Sequence, residues 1–584
     1  MLAAVLVLLV VLGSASASMR FSNVDELIRH LTLLIGMLGG MVAAREGRLL
    51  AMGTFLQALP PTWRPMVHAF AGLVATTVAA TLTVAAWQFV SLEAAAAGEL
   101  AFGVPRIALE AAMPAGFAII TLRLALHAAP GAGARAALLA IAFVAAGFAS
   151  QLDAALPSIR APALVALGIA ILFGAPLFTG LAGIALVFFV AAGDPIASVP
   201  LDHYDQVVNP LLSTLPLFTF AGFVVTSTGA ARRLVRLLRA WTGPLRGAPA
   251  IVTVLACAFF TAFTGGSGIT ILALGGLLMP ILLSSHYGER TALGLVTGAG
   301  SLGVLFAPCL PLILYSIVAA VPIESMFLGG ALPGLLMVAL ACAWGVWRSP
   351  GKRVRPRFSW RRVAATTWRA KWELLLPVVP IVLIFGGFAL PVPAAAITAA
   401  YAIFIAAFVN RDLPRGRRLV EVLAECGLLV GGVLLILGTA MALTNFLITE
   451  HVPDRLTAWM DAAFDSPWIF LLMLNLVMVV LGCVIEIFSA IIVVAPLVVP
   501  VASAFGVDPV YLGVVMLASL ELGYLMPPIG LNLLMSASRF RRPMVEVAAA
   551  TLPMLAVLAA GVALITAFPP LSLWLPRWFA AGAP

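Results

Sequence analysis

Charge is what this sequence has least of. Of 584 residues only 10% are Asp, Glu, Lys or Arg, against 63% hydrophobic, and the mean hydropathy is +1.13. Such a chain cannot solvate the surface of a soluble domain, and the composition is that of a polytopic membrane protein. Cysteine is scarce too. Cys257, Cys309, Cys342, Cys426 and Cys483 stand singly in apolar segments, with no C-x-x-C pair and no histidine cluster nearby, so neither a disulfide framework nor a zinc site is readable. H-E-x-x-H and G-x-S-x-G motifs are missing, as is any intramembrane grouping of His and Asp, and the chain is expected not to be an enzyme. The net charge of +9 could suggest nucleic acid, but the basic residues occupy short joints between apolar runs, where they set orientation in the bilayer. No nucleic-acid partner is expected.

Apolar runs of about 20 residues, the length of one helical crossing, follow one another from Leu27 to Phe568 and leave no room for a sizeable soluble domain. Ahead of them, MLAAVLVLLVVLGSASAS has the apolar length and small-residue end of a signal peptide without its basic start. It fits a cleaved signal, an uncleaved anchor or a start assigned upstream of Met19 alike. Basic joints mark the cytoplasmic side: Arg45 to Arg48, Arg232 to Arg246, Arg348 to Lys371, Arg411 to Arg418 and Arg539 to Arg542. Joints that are acidic or poor in arginine, Asp202 to Asp205, Val321 to Glu324 and Glu450 to Asp461, fall outside.

Parity then demands two segments that do not cross. Ile251 to Leu283 must enter and leave on the cytoplasmic side, turning at Gly265 to Gly268, and Pro467 to Val501 must do the same from the outside, turning near Gly482 to Ser489. Two hairpins of opposite sense are the mark of an inverted-topology repeat. A shift of 220 residues supports it independently, superposing LGVLFAPCLPLILYS on LGYLMPPIGLNLLMS and pairing Gly303 with Gly523, Pro308 with Pro528 and Pro280 with Pro500. The predicted fold is therefore an all-α polytopic inverted-repeat transporter with two re-entrant helical hairpins and two discontinuous helices.

Broken backbone at membrane depth is tolerated where protein covers it or where it lines a polar cavity. Freed carbonyls there can coordinate a cation, while half-helix N-termini face an anion. The glycines of the GGSG stretch would also serve close helix packing, and it is the paired breaks in both halves that favour a transport site. Glu486 and Glu521 are the acids set most deeply in apolar surroundings. Such groups are functional by default: Glu486 is read as a cation ligand or proton carrier, with helix capping as its plainer role, and the plainer role of Glu521 is a structural pairing with Arg539 or Arg541. Glu110 and Arg123 are read as packing or interface residues, His286 and His451 as solvated.

At the stretches LPLFTFAGFVVTSTGAARRLV, AFFTAFTGGSGITILALGGLLMP, GSLGVLFAPCLPLILY and VDPVYLGVVMLASLELGYLMPPIGLNLLMSASRF the chain resembles the tripartite ATP-independent periplasmic (TRAP) transporters, in the form with small and large membrane subunits fused. AAREGR and LPPTWR resemble the small subunit. The resemblance implies a sodium-coupled importer in the bacterial inner membrane, with sodium as coupling ion and no other cofactor. A periplasmic substrate-binding protein delivers a carboxylate-type organic acid, and the hairpin-bearing domain moves as an elevator. Carried over by motif, Thr264, Gly265, Gly266, Ser267 and Gly268 match the first hairpin tip, and Gly300, Ser301, Gly303 and Pro308 the first break. Glu486 and Ser489 match the second hairpin, and Gly523, Pro527, Pro528, Gly530 and Asn532 the second break. Sodium ligands are expected at Ser267, Gly303, Glu486 and Gly523. The residues alone admit protons through Glu486 equally, and a binding-protein-independent anion symporter or an ion channel is the alternative.

Three departures bear on ion stoichiometry and substrate class. Leu390 to Ala394 lack the acid of the family's T-P-T-E-A-like stretch, Ser519 stands where many members have Asn, and Glu486 replaces an Asp. The expected organisation is a signal or anchor segment (1–26), small-subunit-like scaffold helices with a connecting crossing (27–157) and a first repeat (158–347). A basic cytoplasmic linker (348–373), either lying on anionic headgroups or simply solvated, a second repeat (374–568) and a tail (569–584) follow.

Overall fold

The computed structural model describes residues 2–16, 22–51, 59–94, 98–129, 131–149, 157–350, 359–463, 466–527 and 529–582, and among them every regular element is helical. The first helices are α1 (Leu2–Ser16), α2 (Ser22–Glu46), α3 (Arg64–Glu93), α4 (Arg106–Ala128), α5 (Ala132–Ala149), α6 (Pro157–Leu172), α7 (Leu177–Ala192) and α8 (Ser198–Val207). Next come α9 (Thr214–Thr226), α10 (Ala230–Thr242), α11 (Ala248–Thr264), α12 (Ser267–Ser284), α13 (Glu289–Ala299), α14 (Leu310–Val318), α15 (Ile323–Trp347), α16 (Trp360–Phe385) and α17 (Pro391–Phe404). The last are α18 (Arg417–Thr449), α19 (Val452–Ala463), α20 (Pro467–Val484), α21 (Ile487–Ala504), α22 (Pro509–Gly523), α23 (Leu531–Phe540), α24 (Met544–Ala567) and α25 (Pro570–Gly582). Eleven described helices are long and apolar enough to span a bilayer, and twelve if the bent pair Ser198–Val207 and Pro210–Thr226 counts as one span.

Local chemistry explains the boundaries. Proline stands in the first turn of α11, α14, α17, α20 and α22, where its missing N–H needs no partner. Asp508 caps α22 by accepting from Val510 N at 2.8 Å. Gly265 ends α11 at φ +65°, a left-handed conformation that costs glycine nothing.

The repeat seen in the sequence is a repeat of elements. Adding 220 to α12 (267 to 284) gives 487 to 504, the bounds of α21, and the same shift carries α11 onto α20, α13 onto α22, α14 onto α23 and α15 onto α24 within a few residues. Even the interior prolines correspond, Pro333 of α15 with Pro553 of α24. Both hairpins are present as helix pairs, turning at Gly265–Gly266 and at Ile485–Glu486. Both discontinuous helices are present as well, broken between Ala299 and Leu310 and between Gly523 and Leu531.

The chain divides into two compact units, Met1–Pro216 with Val420–Leu456, and Leu217–Leu419 with Thr457–Pro584. In the first, α2 and α18 meet backbone to backbone. A methyl carbon on Gly39 would come within 2.0 Å of Gly427 O, and one on Gly431 within 2.3 Å of Gly39 C. Without an aqueous driving force between helices, such close approach is what binds them. A polar network sits in the same unit: His30 Nε2 lies 2.9 Å from Tyr204 Oη, and Arg106 donates to Tyr204 at 2.8 Å and to the buried Glu110 at 2.7 Å. Glu110 thus sits in a buried ion pair with Arg106, its Oε2 without a hydrogen bond. Arg123 forms no ion pair among the described residues. Exposed His286 and His451 agree with their solvated reading.

The second unit holds both hairpins and both breaks. Helix α10, which leads into the first hairpin, turns Arg233 inward while Arg232, Arg236 and Arg239 stay exposed. Arg233 donates to Glu373 of α16 and, at 2.7 Å, to Asp412, which also accepts from Gly229 N at 3.0 Å. Burial opposes the charge on Arg233, but Asp412 and Glu373 outweigh it and hold the guanidinium above its ordinary pKa. Removing it leaves a carboxylate that is only 4% exposed with the neutral Asn410 amide, which donates to it at 3.0 Å, in place of a cation. Arg233→Ala is therefore expected to destabilise the chain by about 3–5 kcal/mol, read as a lower unfolding temperature, and a second change, Glu373→Gln, should recover part of the loss. A drop that Glu373→Gln deepens instead would mean that the Asn410 amide alone holds the ionised carboxylate in place.

Candidate functional site

Each break is pressed onto its own hairpin through one glycine. A methyl carbon on Gly303 would lie 2.3 Å from Ala258 O and 2.5 Å from Ala262 N of α11, and one on Gly523 would lie 2.5 Å from Val479 O and 2.6 Å from Gly482 C at α20. The two glycines are repeat mates, so the two halves are assembled by the same device.

In the first half, Thr261 Oγ1 donates to Gly300 O at 2.6 Å and lies 2.8 Å from Thr270 Oγ1, which binds both arms of the hairpin to the break. Thr264 Oγ1 is 3.3 Å from both Gly266 O and Thr270 Oγ1. Gly265 and Pro308 are buried, with Leu310 against Gly265, and Gly268 lies against Met535 of α23. Ser267 opens α12 and Ser301 opens the break, both buried and neither hydroxyl with a hydrogen-bond partner.

In the second half, Glu486 occupies the N-cap of α21 but makes no capping hydrogen bond. The first N–H of the helix, Ile487, donates to Tyr524 Oη from the break. Tyr524 thus satisfies one open N–H of α21, and the Glu486 carboxylate makes no capping bond of its own. Gly530 N–H donates to Cys483 O at 3.2 Å, tying the far side of the break to the hairpin. Ser489 is buried without a partner. Asn532 donates from Nδ2 to Thr297 O at 3.3 Å across the two halves, while its Oδ1 is unpartnered. Pro527 is exposed, and Pro528 lies outside the described residues.

The sequence-predicted residues therefore gather into two clusters, one per half. Of the sodium-ligand candidates, Ser267 and Gly303 belong to the first and Glu486 and Gly523 to the second. Glu521 corrects an expectation: it pairs with neither Arg539 nor Arg541, because Arg539 is laid over Gly275 and Gly276 of α12 and both carboxylate oxygens have no hydrogen-bond partner. Thr261, Thr270 and Tyr524 were not singled out by sequence reasoning; the signal available was hydroxyls spaced through a hairpin and an aromatic hydroxyl beside a break glycine. Asn475 of α20 accepts from Ser519 Oγ at 2.6 Å, placing an amide beside the second break.

Half of the twelve buried side-chain atoms without a hydrogen-bond partner among the described residues lie at hairpin tips or helix breaks: Ser267 Oγ, Ser301 Oγ, Ser489 Oγ, Asn532 Oδ1 and both Glu521 carboxylate oxygens. Buried polar atoms are nearly always satisfied, and open oxygens at such breaks suit a hard cation or a polar solute.

Two repeated hairpins, two broken helices and a buried set of open oxygens define a multi-pass permease built on an inverted repeat. Family comparison agrees: residues 154–571 match the "Tripartite ATP-independent periplasmic transporter, DctM component" and residues 3–133 the "DctQ component". The chain belongs to the TRAP transporter permeases and carries the small and large components fused, which makes it a multi-pass inner-membrane protein. It is 33% identical over 401 residues to a C4-dicarboxylate TRAP transporter large permease protein of Pseudomonas aeruginosa, covering 68% of this chain and 93% of that protein. It is 31% identical over 416 residues to an isethionate TRAP transporter permease protein of Oleidesulfovibrio alaskensis, covering 70% and 64%. A sialic acid TRAP transporter large permease protein of Vibrio cholerae is 29% identical over 412 residues, covering 70% and 96%.

Proposed function

We propose that the chain is a sodium-coupled secondary importer of a carboxylate-type organic acid, which a periplasmic substrate-binding protein delivers. The observation that carries this reading is the set of buried, unpartnered oxygens at the tips and breaks. Hydroxyl, amide and carboxylate oxygens are the donors a sodium ion takes, and the N-termini of α12, α14, α21 and α23 open at the same breaks, offering N–H groups to an anion. The named relatives carry organic acids, and a family whose permeases work with a periplasmic binding protein supplies the partner. In this reading the hairpins and broken helices move together as an elevator, exposing the site to each side in turn.

The test is uptake of a labelled organic-acid panel into proteoliposomes, with and without the candidate binding protein, under inward sodium or proton gradients. Binding-protein-dependent uptake driven by sodium is expected, and Ser267→Ala and Glu486→Gln should each lower it roughly 10–100-fold, the range seen when a positioned ligand shell is damaged. Uptake driven by protons alone would transfer coupling to Glu486. Uptake indifferent to the binding protein would defeat the tripartite reading.

A further inference from the structure

Helix α10 carries four arginines and no acid, and α16 opens on Trp360, Arg361 and Arg362 and passes Arg369 and Lys371 before its first acid, Glu373. The fold lays these two stretches side by side and antiparallel: Trp241 Nε1 donates to Thr367 Oγ1 at 3.0 Å, and Arg233 donates to Glu373. Arg233 is thereby engaged by acids. Arg232, Arg236, Arg239, Arg361, Arg362 and Arg369 are exposed, and none of them forms an ion pair among the described residues. The three from α10 follow one another at i, i+4 and i+7, on one face of the helix.

Exposed tryptophan accompanies the charge. Trp241 is 45%, Trp360 76% and Trp368 70% exposed, and Lys371 Nζ lies 3.3 Å from the ring centre of Trp368. Tryptophan beside arginine is the composition of a membrane interface rather than of a surface facing bulk water. Helix α16 itself sets the depth, because beyond Lys371 it turns apolar and leaves Leu375, Val378, Ile381 and Val382 exposed as a lipid-facing side. The hydrocarbon therefore begins about one turn past Lys371, and the tryptophans and arginines fall at headgroup level on the cytoplasmic side. Orientation in the bilayer requires basic residues in a joint, but not their alignment on one face among tryptophans. The repeat mate of α10 makes the same point: α19 occupies its place 220 residues on, sets Arg455 against Asp454 and Asp461, and has Val, Leu and Trp at 452, 456 and 459, the mates of Arg232, Arg236 and Arg239.

We propose that α10 and the first half of α16 form a binding surface for the headgroups of anionic phospholipids in the cytoplasmic leaflet. Guanidinium groups without carboxylate partners take the lipid phosphates, and the tryptophans lie beside them at the edge of the hydrocarbon. The surface is independent of the coupling ion and of the substrate. Because α10 leads directly into α11, lipid held there fastens the base of the first hairpin.

The experiment is native mass spectrometry of the delipidated full chain titrated with phosphatidylglycerol or phosphatidylcholine, comparing wild type with the paired variant Arg236→Gln, Arg239→Gln. Wild type is expected to retain phosphatidylglycerol in preference. The paired variant should bind it roughly 30-fold more weakly at low salt, about fivefold for each arginine. Arg415→Gln with Arg418→Gln removes the same charge from another cytoplasmic joint and should leave retention unchanged. Equal retention of the two lipids by wild type overturns the surface, and so does a loss in the Arg415 and Arg418 pair as large as in the Arg236 and Arg239 pair. Displacement of phosphatidylglycerol by an equal concentration of glycerol phosphate overturns it as well, since the ligand is then a free phosphate and not a lipid. Monodisperse elution and an unchanged unfolding temperature in neutral detergent serve as the folding controls. Should the Arg236 and Arg239 pair not fold, unchanged phosphatidylglycerol retention in Arg361→Gln with Arg362→Gln overturns the surface instead.

Discussion

Gly303→Ala and Gly523→Ala are each expected to cut uptake at least about tenfold and to lower the unfolding temperature, although each adds only a methyl group. The added carbon meets main-chain atoms 2.3 to 2.6 Å away, Ala258 O and Ala262 N in one half and Val479 O and Gly482 C in the other. A flexible side chain could swing aside; backbone in a packed helix pair cannot. Overpacking of this kind costs about 1–3 kcal/mol and sometimes more, and here the strain falls where the break meets its hairpin. Gly288→Ala is the control, since nothing lies within 4 Å of a methyl group there. Paired measurement of uptake and thermal unfolding decides the matter. Uptake at wild-type level in either variant would show that the break and hairpin separate more easily than their contact indicates.

The second large effect is expected where the small-component region is joined to α18. Gly39→Leu or Gly431→Leu should abolish the folded chain, read as loss of the monodisperse peak of a fluorescent fusion. The expected cost is at or above about 3 kcal/mol, the upper end of overpacking. The reason is reciprocal: Gly39 rests on Gly427 O and Gly431 Cα, while Gly431 rests on Gly39 and Gly40. Gly432→Leu on the next position of α18 faces only Leu50 side-chain atoms at 3.6 Å and should be much milder. Equal yields from Gly431→Leu and Gly432→Leu would remove the glycine contact as the basis of the join.

Much of this architecture was legible because its signals are local or periodic. Gly265 marks a turn whatever surrounds it, proline in a first turn marks a helix start, and glycines and prolines repeating at one fixed interval mark a duplicated backbone. Basic joints separated by countable apolar runs gave the hairpins by parity. What escaped was contact between distant positions. Tyr524 accepting from the first N–H of α21, or Asn475 meeting Ser519 from another helix, leaves no trace in either stretch of sequence. Threonines 261 and 270 look like ordinary members of apolar helices until the hairpin folds them together. Glu521 was misjudged for a related reason: arginines visible downstream suggested a pair, but α23 ends at Arg541 with φ 54° and carries Arg539 toward α12.

The duplicated backbone does not carry duplicated chemistry. Positions 261, 264, 267 and 270 are Thr, Thr, Ser and Thr in the first half; their mates 481, 484, 487 and 490 are Leu, Val, Ile and Ala. With identical halves, the two compartments would meet identical faces and a cargo would dwell equally at either. Unequal halves allow the residence time to differ between entry and exit, while the gradients alone set the direction of net flow.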